Sequence, residues 1–250
     1  MGVMRPLFRF FGSKWTLAPH YPPPRFPIIV EPFAGGAGYS TRYHRRQVVL
    51  VERDPKIAEL WRWLIAAKPD DIRDLPLLEP GDAIPETVTG GARWLIGFWC
   101  ALTTAHPQNV LVPSSARVPT AFWNRRVRER TAQSVGAIKH WTVIEGDYSD
   151  APDVEATWFV DPPYQGAGRF YTHGSGAIDF SALSRWSRTR RGQVMVCENV
   201  GADWMPFRPF RVGHAATRGS VARNTHEAIW SNEPDRQTTM FPATSGAKGE

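Results

Sequence analysis

An α/β fold, with a mostly parallel sheet and helices on both faces, is predicted by three observations in this chain of 250 residues. Short apolar runs rich in Val and Ile alternate with helical stretches, as in a parallel sheet. The first run enters a glycine-rich turn, and the second ends on an acid about 20 residues on, the arrangement of a Rossmann-like nucleoside site. A later run ends in Asp161-Pro162-Pro163-Tyr164, and ligands of open α/β sheets bind at the carboxyl ends of strands.

Pro27-Ile28-Ile29-Val30 reads as the first strand. It leads into Glu31-Pro32-Phe33-Ala34-Gly35-Gly36-Ala37-Gly38 and then a helix expected through Arg46. Gln47-Val48-Val49-Leu50-Val51 is the second strand and ends at Glu52. Asp54-Pro55 opens a helix to about Ala67, with Asp54 as N-cap and Pro55 in the first helical position. Trp141-Thr142-Val143-Ile144 is the third strand and ends at Gly146-Asp147. Thr157 to Val160 is the fourth and Gln193 to Cys197 the fifth. Two shorter runs, Phe207–Val212 and His226–Trp230, are expected to close the sheet, and Ala243–Glu250 reads as a frayed tail.

One interval is too long for a strand–helix–strand crossover. Residues 67–139 hold a proline-rich segment, an apolar Trp-rich helix from Ala92 to Ala105, a polar loop with Arg117, and an arginine cluster. They read as a small, mainly helical insert over the carboxyl edge of the sheet, where inserts carry function. The rest, 1–66 and 140–250, reads as the main doubly wound domain.

Composition narrows the partners. Hydrophobic residues make up 42%, enough for a sizeable core. No apolar run reaches the ~18 residues of a membrane span, and no signal-peptide pattern is present. Cys100 and Cys197 stand far apart and read as buried thiols of a reducing compartment. The seven histidines are scattered, so no metal site is expected. The net charge of +6 is carried mostly by arginine, which suits a polyanionic partner.

The chemistry of Asp161–Tyr164 is specific. Proline lacks an N–H and leaves its carbonyl free to accept. The Asp161 carboxylate and Pro162 carbonyl can therefore both accept from one –NH2 group, and Tyr164 can stack on the ring that carries it. That suits an exocyclic amino group of a nucleobase. A rigid turn after a strand is the alternative from these four residues alone. No G-x-x-x-x-G-K-[ST] loop is present, so triphosphate hydrolysis is not indicated.

Taken in order, these motifs resemble the Dam-like N6-adenine DNA methyltransferases, which use S-adenosyl-L-methionine. Arg9-Phe10-Phe11-Gly12-Ser13-Lys14 is similar to the family's N-terminal cofactor motif, and Glu31 to Gly36 to its Glu-Pro-Phe-x-Gly motif. Glu52 falls at the ribose-binding acid, Gly146-Asp147 at the element that meets the cofactor adenine, and Asp161–Tyr164 at the catalytic motif. His226–Asn232 resembles the late strand. Phe10 stands where many members have Trp, Glu52 where Asp is commoner, and Ala37 where Gly is frequent. The insert is short and matches no known recognition module.

The resemblance implies a site-specific adenine-N6 methyltransferase acting on a base flipped out of double-stranded DNA. Cytosine-N4 or RNA-base methylation, or a non-catalytic nucleic-acid-binding relative, are the alternatives; Asp rather than Ser at 161 favours adenine. It implies cofactor contacts from Phe10, Lys14, Glu31, Phe33, Gly35, Gly36, Glu52, Asp147 and Asp161, and catalysis by Asp161, Pro162, Pro163 and Tyr164. DNA contacts are expected from Arg117, Arg125, Arg126, Arg128, Arg130 and Arg169. The glycine-rich segment Gln165–Gly176 is expected to close over the flipped base. A cognate restriction endonuclease and the cytoplasm of a bacterial cell or phage-infected host are the implied partner and compartment.

Overall fold

β-Branched and apolar side chains make the strands. The computed structural model describes residues 3–101, 105–113, 122–165, 174–215 and 223–233, with backbone alone for 211–215 and 223–225. Strands β1 (Ile28–Glu31), β2 (Gln47–Glu52), β3 (Thr142–Glu145), β4 (Ala156–Val160) and β5 (Gly192–Asn199) run parallel. Strands β6 (Arg208–Ala215) and β7 (Arg223–Ser231) pair antiparallel, and β7 lies antiparallel against β5. The order is β3-β2-β1-β4-β5-β7-β6, a Rossmann-like mixed sheet closed by a hairpin.

Alternation along each strand sends side chains to opposite faces. Ile29, Leu50, Phe159, Met195 and Cys197 enter one buried cluster. Val30, Val51, Trp158, Val160, Val194 and Val196 enter the other. Both faces are therefore covered, as a parallel sheet requires. Among the described residues no helix is long and apolar enough to cross a membrane.

Six α-helices lie among the described residues: α1 (Gly38–Arg42), α2 (Pro55–Ala66), α3 (Pro69–Arg73), α4 (Gly90–Trp99), α5 (Arg125–Val135) and α6 (Phe180–Arg188). The cap expected for α2 is present: Asp54 Oδ1 accepts from the Lys56 N–H at 2.9 Å, with Pro55 first in the helix. Helix α1 stops at Arg42 rather than Arg46. Gln47 already pairs with Ile28, so the chain has only four residues in which to reverse. The Tyr43 and Arg46 amides donate three residues back, to Ser40 and Tyr43, and tighten that reversal.

Residues 67–139 do not build a core of their own. Leu95, Phe98, Trp99, Trp123 and Val127 share the cluster of Ile29 and Leu50. Trp123 is fully buried and donates from Nε1 to the Pro76 carbonyl at 2.7 Å. Helix α4 lies on α2 closely enough that a Cβ at Gly91 would stand 2.2 Å from Trp63 Cβ. Gly91→Ala is therefore expected to pry α4 from α2, at about 1–3 kcal/mol for an overpacked core. Thermal unfolding should show a fall of several degrees; an unchanged midpoint would contradict this packing.

Candidate functional site

Strand β1 is flanked by β2 on one side and β4 on the other. The chain proceeds outward through β2 to β3, then returns across β1 to lay down β4. Connections diverge there, and their carboxyl ends leave a crevice. The crevice is a cleft walled by segments 10–14, 31–38, 52–54 and 146–148, with Asp161 and Pro163. All nine residues expected at the cofactor, Phe10, Lys14, Glu31, Phe33, Gly35, Gly36, Glu52, Asp147 and Asp161, line this one cleft.

The glycine turn is held from several sides. Gly35 adopts a left-handed φ of 44° and so does Ala37, which costs a residue bearing a Cβ roughly 1–2 kcal/mol. The turn is pinned by Trp61 Nε1 on the Gly35 carbonyl at 2.8 Å and by the Gly35 N–H on Glu52 Oε2 at 2.8 Å. A Cβ at Gly35 would meet Phe10 Cε1 at 2.6 Å, and one at Gly38 would meet the Trp15 N at 2.5 Å. These glycines thus admit the N-terminal segment against the turn as well as exposing backbone to the cleft.

Two acids anchor the walls, Glu31 buried and Glu52 half-buried. Glu31 is 2% exposed and accepts from the Ser40 N–H at 2.6 Å. Burial pushes its carboxyl up to about 8, against the pull of Ser40. Glu52 also accepts from the Asp54 N–H at 2.8 Å, and burial raises it to about 7. Asp147 is more open. It caps the short turn Tyr148–Asp150 and stands 3.7 Å from the Arg53 guanidinium. Tyr148, which sequence reasoning passed over, stacks on Phe33 with ring centres 5.6 Å apart. Its signal was its place directly after Gly146-Asp147.

Asp161 is ion-paired with Lys14, Nζ to Oδ1 at 3.0 Å. Lys14 also donates to the Gly12 carbonyl at 3.2 Å and lies 4.7 Å from the centre of the Tyr164 ring. Burial raises the Asp161 pKa, and the Lys14 charge opposes that rise. Asp161 and Pro163 line the cleft but Pro162 and Tyr164 do not, and Pro162 is buried. The Tyr164 hydroxyl donates to Glu227 Oε2 at 2.6 Å, so a buried acid on β7 fixes the ring. The Gln165 N–H is held by Glu198 Oε2 at 3.0 Å.

The expected DNA contacts divide. Arg125 and Arg126 are exposed on α5. Arg128, half-buried, donates to the Leu75 carbonyl at 2.6 Å and so docks α5 on the α3 region. Arg130 lies over the Trp99 ring at 5.3 Å. Arg117, Arg169, segment 166–173 of the expected lid and the tail 243–250 fall outside the described residues. Among the described residues no group of His, Cys, Asp or Glu is arranged to hold a metal ion.

No protein-family model matches the chain, and no curated protein does. Among solved structures, a conserved hypothetical protein of Streptococcus pyogenes aligns over 88% of this chain and 92% of its own, with 11% identity and a TM-score of 0.35.

Proposed function

We propose that the protein transfers a methyl group from S-adenosyl-L-methionine to the exocyclic amino group of an adenine in double-stranded DNA. One observation carries the reading. Motifs scattered from Phe10 to Asp161 converge on a single cleft at the switch point of the sheet. The donor set fits the cofactor. Glu52 offers a carboxylate to ribose hydroxyls, and Phe33 with Tyr148 offers apolar ring faces beside Asp147. Burial disfavours the charge of Glu31, and a cationic group beside it would favour that charge again. When bound, the cofactor supplies an electrophilic methyl group.

The chain's own residues position the acceptor. Asp161 accepts from the target amino group at the cleft wall, and Lys14 opposes the rise in its pKa that burial causes. Fixing two reactants in this way supplies up to ~7–11 kcal/mol in favourable cases. Extruding the base costs a few kcal/mol.

Incubation with methyl-labelled cofactor and DNA, followed by digestion to nucleosides, should place the label on N6-methyladenine. Label on cytosine, on RNA only, or on no base would overturn the reading. A second expectation follows from the ion pair. Protonation turns one Asp161 oxygen into a donor facing the amino group, so the rate should fall as pH drops through its pKa. Lys14→Met removes the charge that holds this pKa down, and the acidic limb of the single-turnover rate should move to higher pH. An unmoved limb would show that Lys14 does not tune Asp161.

A further inference from the structure

Acidic residues are distributed unevenly along the sequence. Residues 1–30 contain no Asp or Glu, and neither do residues 87–128. The two stretches carry Arg5, Arg9, Lys14, Arg25, Arg93, Arg117, Arg125, Arg126 and Arg128 with no acid among them. The fold brings them together. Trp99 Nε1, at the end of α4, donates to the Leu7 carbonyl at 3.1 Å. Phe98 packs on Phe8 and Phe10 with ring centres 5.1 and 5.8 Å apart. Arg130, from the next helix, covers the same Trp99 ring.

We infer that Arg5, Arg126 and Arg130 form a clamp for the phosphodiester backbone of duplex DNA beside the cleft. Arg126 and Arg130 are one helical turn apart on α5 and share a face. Arg5 joins them from the N-terminal segment, two residues before the anchored Leu7. Burial and the charges of Arg5 and Arg126 together lower the Arg130 pKa, as a like-charge cluster must. The only acid of α5, Glu129, is taken up by Arg73 at 3.0 Å on the α3 side. Among the described residues none of the three arginines is in an ion pair. A cluster of uncompensated guanidinium groups costs stability unless a polyanion neutralises it. The same segment carries Phe10 and Lys14 into the cleft five and nine residues later, so a backbone held at Arg5 passes the catalytic edge. Phosphate contacts set register and carry no sequence information. Arg128, committed to the Leu75 carbonyl, stands outside the clamp.

The clamp rests on the DNA-methyltransferase reading, and its test separates the two. Binding of a fluorescent DNA duplex is followed by anisotropy across a salt series for the wild type and for Arg5→Ala with Arg126→Ala. Both side chains are exposed, so the fold should persist. The slope of log affinity against log salt should fall by about two, one per lost phosphate contact, with sequence preference unchanged. At low salt the variant should melt no lower than the wild type, because repulsion is relieved; a purely structural role would lower the melting point. A variant slope equal to that of a DNA-binding wild type overturns the clamp and leaves the enzymatic reading intact. A wild type that binds no duplex overturns both. Tighter binding to duplex RNA than to DNA overturns the choice of partner.

Discussion

Asp161→Asn should lower the single-turnover rate of methyl transfer by roughly 10²–10³-fold, the cost of removing one preorganised polar partner from a reaction site. The affinity for S-adenosyl-L-methionine should change much less. Asn preserves volume but not function, and the reason lies in Lys14. The ammonium sits 3.0 Å from Asp161 Oδ1 and will draw the amide oxygen toward itself. The amide –NH2 is then left facing the target amino group, donor against donor. Asp161→Ala is a poorer test. It strands a Lys14 that is 6% exposed, and breaking a buried pair costs about 3–5 kcal/mol. Lost activity in the Ala variant would then mix chemistry with unfolding. Near-wild-type turnover in a well-folded Asn variant would remove Asp161 from the catalytic assignment.

Much of the sheet was legible because its signals are local. Each parallel strand is a short run of Val, Ile and aromatic residues, and the expected ligand residues other than Phe10 and Lys14 sit at or just after a strand end. Runs such as Gln47–Val51 and Thr157–Val160 carry their own burial pattern, and the caps at Asp54 and the turn at Gly35 follow from residue type. The closing hairpin was legible only as two runs. Nothing local says that β7 slots between β5 and β6, because that depends on pairing Cys197 with Ile229 and Pro209 with Ala228. The parts of the site that escaped are likewise long-range. Lys14 with Asp161, and Tyr164 with Glu227, are partners distant in the chain whose contact exists only once the sheet has formed. Glu227 gave one faint signal, an acid in a strand whose next two residues, Ala228 and Ile229, are core. The contact of Arg128 with the Leu75 carbonyl is long-range too. Composition marks a basic helix, but only packing shows which arginine turns back to cap a neighbouring carbonyl.

Glu52→Ala should weaken the cofactor and loosen the fold together, because Glu52 does structural work before any ligand arrives. Its two oxygens take the Gly35 and Asp54 N–H groups at 2.8 Å each. Alanine leaves both donors without that acceptor, at about 1–3 kcal/mol apiece if they stay buried. A ribose that also leans on this carboxylate would lose hydrogen bonds to a charged group, about 1.5–3 kcal/mol each, so the dissociation constant should rise at least tenfold. Glu52→Gln separates the effects, since its carbonyl oxygen keeps one backbone donor while the charge is lost. The pH dependence gives an independent reading. Burial raises Glu52 from 4.5 to about 7 and Glu31 from 4.5 to about 8. Between 4.5 and those values the folded protein binds more protons than the unfolded chain, so these two groups make stability fall as pH rises through that window and level off above it. Glu52→Gln should flatten the part of the fall that ends near 7 and leave the part due to Glu31 up to about 8. Calorimetric binding and thermal melting at several pH values test both halves. If the Ala variant binds the cofactor with an unchanged constant and melts like the wild type, Glu52 neither holds the turn nor meets the ligand, and the cleft loses its central acid.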